Sequence, residues 1–250
     1  MRTYFISTIL LFFAVINVSH SKNKPTEEYL KNHSKKIDPN NIKLNFDDSF
    51  YDHQLFFFGF VHGSATPQLI DLALLKNLNK KGVRYYAPEV DYSLAFFFNE
   101  YLKTGDLGLL RFACEYQGHI TPQDASVQLF QKWQGIYEYN KSLKAEDKIT
   151  VLGWDHTISP SLSLTHLAYL APSESTGLDI VDSLIHFKTL EDESITIMSG
   201  KPVWKSGKSW DYFFGTDKTT FYNRFNDRYA VDSTEILRAF GQNAHQVRRL

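Results

Sequence analysis

The chain is almost without cysteine. Cys114 is the one cysteine among 250 residues, so no disulfide can form within the chain. Because Cys114 stands in an apolar stretch with Leu110 and Phe112, we expect its side chain to pack in the core rather than to act as a nucleophile. This excludes a small scaffold held together by disulfides, and the fold must rest on its hydrophobic core.

The chain also has little net charge. It carries 27 Lys and Arg residues against 28 Asp and Glu residues, a formal net charge of −1. Nucleic-acid binding requires a concentrated basic patch, and the Arg248-Arg249 pair is too short to form one. The composition therefore predicts no nucleic-acid partner and favours a small-molecule substrate or ligand.

Long hydrophobic runs are missing beyond the N-terminus. There, Arg2 precedes a mostly apolar stretch over residues 4–18, and Ser19 and Ser21 follow as the small residues of a cleavage site. This pattern predicts a secretory signal peptide over residues 1–21. The alternative is an uncleaved membrane anchor, which requires about 20 apolar residues. We therefore expect a secreted or periplasmic protein with no stable membrane span after signal cleavage.

Beyond the signal peptide, the sequence predicts a tether and one domain. Residues 22–46 are polar and predict a tether. Residues 47–250 have the length of a single α/β domain, and the aromatic share of 15% favours a substantial core.

Strand and helix signals alternate in the first half of this domain. Apolar runs predict strands at residues 55–61, 83–90 and 149–154. Caps and helical spacing predict helices at residues 66–81, 91–104 and 121–144, and in the C-terminal part at 159–171, 177–190, 221–229 and 234–244. Strand–helix–strand units of this length imply parallel strands joined by right-handed crossovers. The predicted fold class is therefore α/β, a mostly parallel sheet flanked by helices, with a more helical C-terminal part.

Polar side chains follow each predicted strand. His62 ends the first strand, Glu89 and Asp91 end the second, and Asp155 and His156 end the third. Since the carboxyl ends of parallel strands meet at one edge of a sheet, we expect these groups to converge. A histidine beside a carboxylate can activate water as a general base. The same atoms could instead hold a divalent metal or only stabilise turns, and their spacing does not choose between these uses.

Four segments carry a family resemblance. They are Gly59-Phe60-Val61-His62-Gly63, Tyr86-Ala87-Pro88-Glu89-Val90-Asp91, Trp133-Gln134-Gly135-Ile136-Tyr137-Glu138-Tyr139-Asn140 and Gly153-Trp154-Asp155. In this order and spacing, over roughly residues 54–156, they resemble the erythromycin esterase-like family. That family belongs to a wider group with the Tiki-type and related haem-uptake proteins.

The resemblance implies an exported hydrolase that works without a metal or other cofactor. In such an enzyme His62 would activate water for attack on an ester or related carbonyl, and Glu89 would be its partner or a carboxylate that faces the substrate. Glu89, Asp91 or Asp155 could orient His62. Asn243-Ala244-His245 is similar to a late Asn-x-His element that the family carries on a strand, which implies His245 as a further catalytic residue. Family members usually continue well beyond this point, so we expect a truncated or diverged C-terminus.

One position departs from the family pattern. The family carries Gly-Glu where this chain has Phe58 and Gly59, so the acid three residues before His62 is missing. Another carboxylate would have to orient His62. The departure, together with the aromatic residues around the motif, also supports an alternative, a non-catalytic ligand- or haem-binding protein on the same scaffold. A further alternative is a metal-dependent Tiki-type hydrolase with His62 and Glu89 as ligands.

Overall fold

The computed structural model describes residues 24–34, 37–39, 41–59, 61–157, 159–185 and 216–250. It divides the chain into two compact units, Met1–Asn41 and Ile42–Leu250. The first unit contains helix α1 (Lys24–His33), on which Glu27 and Lys31 form an ion pair of 3.6 Å one turn apart. The predicted signal peptide, residues 1–21, lies outside the described residues.

The described part of the second unit is mostly helical. Its helices are α2 (Ala65–Asn79), α3 (Tyr92–Thr104), α4 (Leu107–Ile120), α5 (Val127–Lys141), α6 (Pro160–Leu170), α7 (Thr216–Phe240) and α8 (Ala244–Val247). Residues 179–185 are also helical. Strands β1 (Tyr85–Tyr86) and β2 (Thr150–Val151) form a parallel pair.

Helix caps explain why the chain folds this way locally. Asp91 begins α3, where its carboxylate accepts a hydrogen bond of 2.8 Å from the N–H of Leu94. Gly105 ends α3 in the left-handed conformation, with φ of 75°. Asp106 follows at once and begins α4, a helix that the sequence patterns did not predict. A stop and a start in adjacent residues therefore divide one long helical region into two helices.

In the part of the chain that the structure describes, the predicted sheet is a single pair of short strands. The parallel direction of β1 and β2 is confirmed, but each strand is shorter than the apolar run that predicts it. The predicted strand at 55–61 is wrong for the described residues 55–59 and 61, which lie in neither strand nor helix. Leu55 and Phe57 are 69% and 90% exposed, so these two side chains are not covered by a neighbouring element. An apolar run shows that a segment has side chains that could be buried. It does not show whether another part of the fold lies where it could cover them.

Two asparagine side chains close the outer edge of β2. The amide of Asn99 both donates to and accepts from the backbone of Val151, at 2.8 and 2.9 Å. The amide of Asn140 pairs in the same way with Ile149, with both bonds at 2.9 Å. Each amide replaces the peptide group of a neighbouring strand, so β2 has no free ladder positions at these two residues.

A buried triad joins β1 to the helices behind it. Lys132 of α5 places its Nζ 3.0 Å from Oδ2 of Asp71 on α2 and 3.1 Å from the hydroxyl of Tyr86 on β1. The Tyr86 hydroxyl also donates to Asp71. Only 5% of the Lys132 side chain and 11% of the Asp71 side chain are exposed. Burial, together with the neighbouring Asp71 carboxylate, raises the pKa of Tyr86 well above its ordinary value.

Among the described residues, the hydrophobic core has two clusters. In the first, around α3, α4 and α5, the rings of Trp133 and Phe98 stack with centroids 3.7 Å apart. The second lies between α6 and α7, and Phe96 packs against both clusters. Cys114 packs against the first cluster, where burial raises the pKa of its thiol, in agreement with the packing role expected for it. No described helix combines the length and the apolar character that a membrane crossing requires.

Where the structure describes it, the C-terminal part is helical, as predicted, with different boundaries. The predicted helices 221–229 and 234–244 are largely one helix, α7, with a kink at Asp232, where φ is −119° and ψ is 33°. The predicted helix 177–190 is helical over residues 179–185, and its remaining C-terminal residues lie outside the described residues.

Candidate functional site

The carboxyl ends of β1 and β2 meet, as the parallel arrangement requires. Asp91 and Asp155 form a parallel backbone bridge. The N–H groups of Trp154 and Asp155 approach the carbonyl oxygen of Val90 at 3.2 and 3.3 Å. The structure therefore brings the second and third predicted strand ends together, and we call this edge the rim.

Gly153 allows the two chains to approach at the rim. A Cβ atom at this position would lie 2.5 Å from the Cα atom of Tyr92 and 2.6 Å from the carbonyl carbon of Asp91. Real Cβ atoms do not come that close to backbone, so residue 153 must be glycine for Asp155 to lie beside Asp91.

Asp91 is buried and has a structural task. Its residue is 2% exposed, and its carboxylate caps α3. Tyr116 and Ser159 lie close by: burial raises the pKa of the Tyr116 hydroxyl, the Asp91 carboxylate raises it further, and a hydrogen bond with Ser159 opposes the rise. Asp91 therefore anchors the rim and is shielded from any substrate in solution.

Asp155 and His156 form a dyad that faces solvent. Nδ1 of His156 lies 2.8 Å from Oδ1 of Asp155, and the same oxygen accepts a hydrogen bond of 2.8 Å from the His156 N–H. The side chains are 84% exposed for His156 and 26% for Asp155. When the Nδ1–H group donates a hydrogen bond to the carboxylate, the lone pair of the neutral imidazole lies on Nε2. Because the ring is exposed, Nε2 can then act as a base. This is the arrangement of an oriented general base.

Glu89 lies at the rim in an exposed bend. The residue before it, Pro88, is linked to Trp154, whose Nε1 donates a hydrogen bond of 2.7 Å to the Pro88 carbonyl oxygen. The Trp154 ring is nevertheless 67% exposed and offers an apolar surface beside Glu89.

His62 lies in a turn immediately before α2, and its side chain is exposed. The last residue of α2, Asn79, donates hydrogen bonds to the carbonyl oxygens of Val83 and Asp147, just before the two strands begin. Further back on α2, Asp71 contacts Tyr86. Because α2 thus runs antiparallel to β1, the turn that holds His62 lies at the same end of the sheet as the rim.

His245 is exposed, and its Nδ1 contacts the carbonyl oxygen of Gln242 at 2.9 Å. The strand that the resemblance implies around it is wrong, because Asn243 to His245 lie in a short 3₁₀ turn and in α8. Asn243 instead donates a hydrogen bond of 2.9 Å to the carbonyl oxygen of Leu170 at the end of α6. This segment therefore forms local helical hydrogen bonds instead of pairing as a strand.

The C-terminal segment nevertheless approaches the rim with a residue that sequence reasoning passed over. The guanidinium of Arg249 lies over the ring of Tyr92, 5.8 Å from its centroid, and Tyr92 directly follows Asp91. This places a positive charge near the rim. Nothing in the spacing of the Arg248-Arg249 pair connects it with residue 92, so no sequence signal could have found this contact.

Two titratable groups of the helices were also missed. His166 is fully buried, with Nδ1 3.3 Å from the Ser93 hydroxyl, and burial lowers its pKa to about 3 while the Gln246 side chain opposes this. Burial raises the pKa of Glu115 to about 7, and the nearby Arg111 opposes the rise. The sequence gives no sign of either environment, since burial of a helical residue depends on its neighbours in space.

Among the described residues, no three or more His, Cys, Asp or Glu side chains come together in a way that could hold a metal ion. The metal-binding alternative for His62 and Glu89 therefore receives no support from the described geometry.

Comparison with known proteins yields no match to this chain, whether with family models, with curated proteins or with solved structures. The resemblance to the erythromycin esterase-like family therefore stays a prediction.

Proposed function

We propose that this protein is an exported hydrolase that uses a histidine to activate water against an ester or related carbonyl, with its site at the rim. The observation that carries the proposal is the dyad of His156 and Asp155, with 2.8 Å between Nδ1 and Oδ1. His156 takes the role of base because its partner carboxylate is adjacent. His62, the base that the resemblance implies, lies at the same end of the sheet and would face the same substrate.

The proposed reaction is a direct attack by water. Nε2 of His156 takes a proton as the water oxygen bonds to the carbonyl carbon, and Asp155 stabilises the resulting imidazolium. The tetrahedral intermediate then collapses, the bond to the leaving alcohol oxygen breaks, and the imidazolium returns the proton to that oxygen. The Arg249 guanidinium is positioned to stabilise negative charge near the rim. The products are a carboxylic acid and an alcohol.

The larger sheet is part of the same proposal. Two parallel strands with a helical connection are the repeating unit of an α/β layer. We propose that β1 and β2 belong to a mostly parallel sheet flanked by helices, and that the rim is its ligand-binding edge.

The test is ester turnover by the purified protein, measured with a panel of nitrophenyl esters. We expect His156→Ala to lower turnover by about 100-fold or more, the usual contribution of general-base catalysis. Asp155→Asn should lower it as well, and His62→Ala shows whether that residue takes part. His53→Ala is the matched control, because His53 is also exposed and follows Tyr51, which donates a hydrogen bond to Asn77 near the opposite end of α2 from His62. Turnover that is absent in the wild type, or unchanged in His156→Ala, would overturn the proposal.

A second candidate, a ligand-binding protein without catalysis, is favoured by the exposed Trp154 ring at the rim. Exposed aromatic side chains next to polar groups are common in binding sites. Quenching of tryptophan fluorescence by a ligand, abolished in Trp154→Ala and without any chemical conversion, would support it over hydrolysis.

A further inference from the structure

Within the described residues, β1 pairs with β2 on one side and has an unpaired edge on the other. Thr150 donates to the carbonyl oxygen of Arg84 at 2.9 Å, and Leu152 donates to that of Tyr86 at 2.8 Å. Peptide groups alternate along a strand, so those of Tyr85 and Ala87 point away from β2. No backbone group in the described stretches pairs with them. Because asparagine side chains close the far edge of β2, the described sheet can gain a strand only at β1.

A segment with the composition of a strand precedes α2, the helix whose Asp71 contacts Tyr86 of β1. Leu55–Gly59, which we call the edge segment, has neither bends nor turns, and its Phe57 is 90% exposed. Bulky aromatic side chains favour the extended conformation of strands. Proteins normally avoid both an exposed apolar run and an unpaired sheet edge.

The contacts on both sides of the edge segment define its direction. Before it, the ring of Phe50 lies 5.1 Å from that of Phe56, and the hydroxyl of the adjacent Tyr51 donates to Asn77 near the end of α2 at 2.7 Å. After it, Gly63 leads into the first turn of α2. From Asn77 back to Ala65 the helix extends about 18 Å. The seven residues after Phe56 reach at most about 23 Å.

The edge segment therefore runs nearly extended along α2 and in the opposite direction. Since α2 is antiparallel to β1, the edge segment is parallel to β1. Edge segment, α2 and β1 follow one another as the strand, helix and strand of a crossover unit, in which consecutive strands usually lie side by side. Pairing with β1 therefore requires no reversal of chain direction.

We propose that the edge segment docks on the free edge of β1 as a third parallel strand, in exchange with the undocked arrangement described above. Docking satisfies the outward peptide groups of Tyr85 and Ala87 and covers one face of the edge segment. It also moves the turn that holds His62 to the end of the new strand, next to Glu89. The docking does not depend on the proposed hydrolysis and can be tested without an activity assay.

The experiment is hydrogen exchange of single backbone amides, followed by NMR. In the docked state the amides of Tyr85 and Ala87 are hydrogen-bonded, so we expect them to exchange at least 10-fold more slowly than unpaired amides. Two variants, Phe57→Asp and Phe58→Asp, disturb the docked strand. Successive side chains of a strand face opposite sides, so one of the two must place a charge against the interior. We expect that variant to lose protection at Tyr85 and Ala87, while the Val151 amide, which Asn99 binds, stays protected.

Val231→Asp is the matched control, because Val231 is 77% exposed on α7, remote in sequence from the edge segment. Unprotected amides at Tyr85 and Ala87 in the wild type, or protection that neither variant changes, would overturn the proposal. Protection that rises with protein concentration, together with a dimer in light scattering, would assign the edge to a second copy and also overturn it. If Phe57→Asp unfolds the protein while Val231→Asp does not, Phe57 must be buried in solution, which supports docking.

Discussion

Replacing Lys132 by methionine tests whether the buried triad holds β1 in place. Methionine keeps most of the length and volume of the lysine side chain, so the substitution removes the charge with little change in packing. Asp71 then loses the cation 3.0 Å from its Oδ2 atom while it stays buried. A buried charge left without its partner typically costs about 3–5 kcal/mol of unfolding free energy.

The matched control is Lys141→Met on the same helix. Lys141 lies 3.2 Å from Glu138, but the two side chains are 57% and 66% exposed. Exposed pairs of this kind contribute about 0–1 kcal/mol. Urea denaturation of both variants, followed by circular dichroism, compares the two effects directly. For a chain of this size, the Lys132 substitution should also lower Tm by roughly 10 °C.

A triple variant, Asp71→Leu, Lys132→Met, Tyr86→Phe, tests the buried triad as a whole. All three polar groups are removed together, so no buried group is left without a partner. Replacing a whole buried ionic cluster with apolar residues is often neutral or stabilising. We therefore expect the triple variant to recover most of the stability lost in Lys132→Met. A single substitution no more harmful than Lys141→Met, or a triple variant less stable than the single one, would refute this reasoning.

Three further predictions concern stability. Gly153→Ala forces a Cβ into the backbone of Asp91 and Tyr92 and should lower the free energy of unfolding by about 3 kcal/mol. Gly59→Ala, whose Cβ would meet nothing within 4 Å, is its control in denaturant unfolding, and equal effects of the two substitutions would contradict the close approach. The pKa of Glu115 rises from 4.5 to about 7 on folding, so the folded state holds the extra proton and stability falls as pH rises between these values. Glu115→Gln should remove that fall, and its free energy of unfolding at pH 8 should exceed that of the wild type by about 1 kcal/mol, a value reduced for the solvent exposure of this side chain. Equal stability of the two proteins at pH 8 would contradict this prediction. The pKa of His166 falls from 6.5 to about 3, so stability is present above pH 6.5 and is lost as pH falls towards 3. His166→Phe should weaken this acid sensitivity, and an unchanged slope between pH 4 and 6.5 would show that other groups cause it.

Much of the helical architecture could be predicted because its signals are local. Pro67 in the first turn of α2 and the Asp91 cap of α3 mark helix starts that the structure confirms. The sheet could be predicted only in outline. An asparagine on α3, Asn99, takes the place of a neighbouring strand at Val151, and no sequence pattern distinguishes such an amide from any other polar residue of a helix.

The candidate site divides in the same way. That Asp91 and Asp155 would meet followed from the parallel direction of two strands, which the alternation of strands and helices implies. The partner of each carboxylate at that edge could not be predicted. In the structure Asp91 accepts a hydrogen bond from the N–H of Leu94, whereas Asp155 pairs with His156. The position of Arg249 depends on the packing of the last helices, for which the sequence carries no local signal.

The two histidines near the rim depend on different parts of the fold, and this separates their roles. His156 is held by the residue before it, so its orientation depends only on a local turn and on the close approach at Gly153. In the proposed docking, the edge segment sets the position of the turn that holds His62. If both act on one substrate, a charge in the edge segment should reduce the contribution of His62 and leave that of His156 intact. His62→Ala would then have little further effect in the background of the undocked variant, whereas His156→Ala would keep its full effect. Equal effects of His62→Ala in both backgrounds would show that edge-segment docking and catalysis are independent.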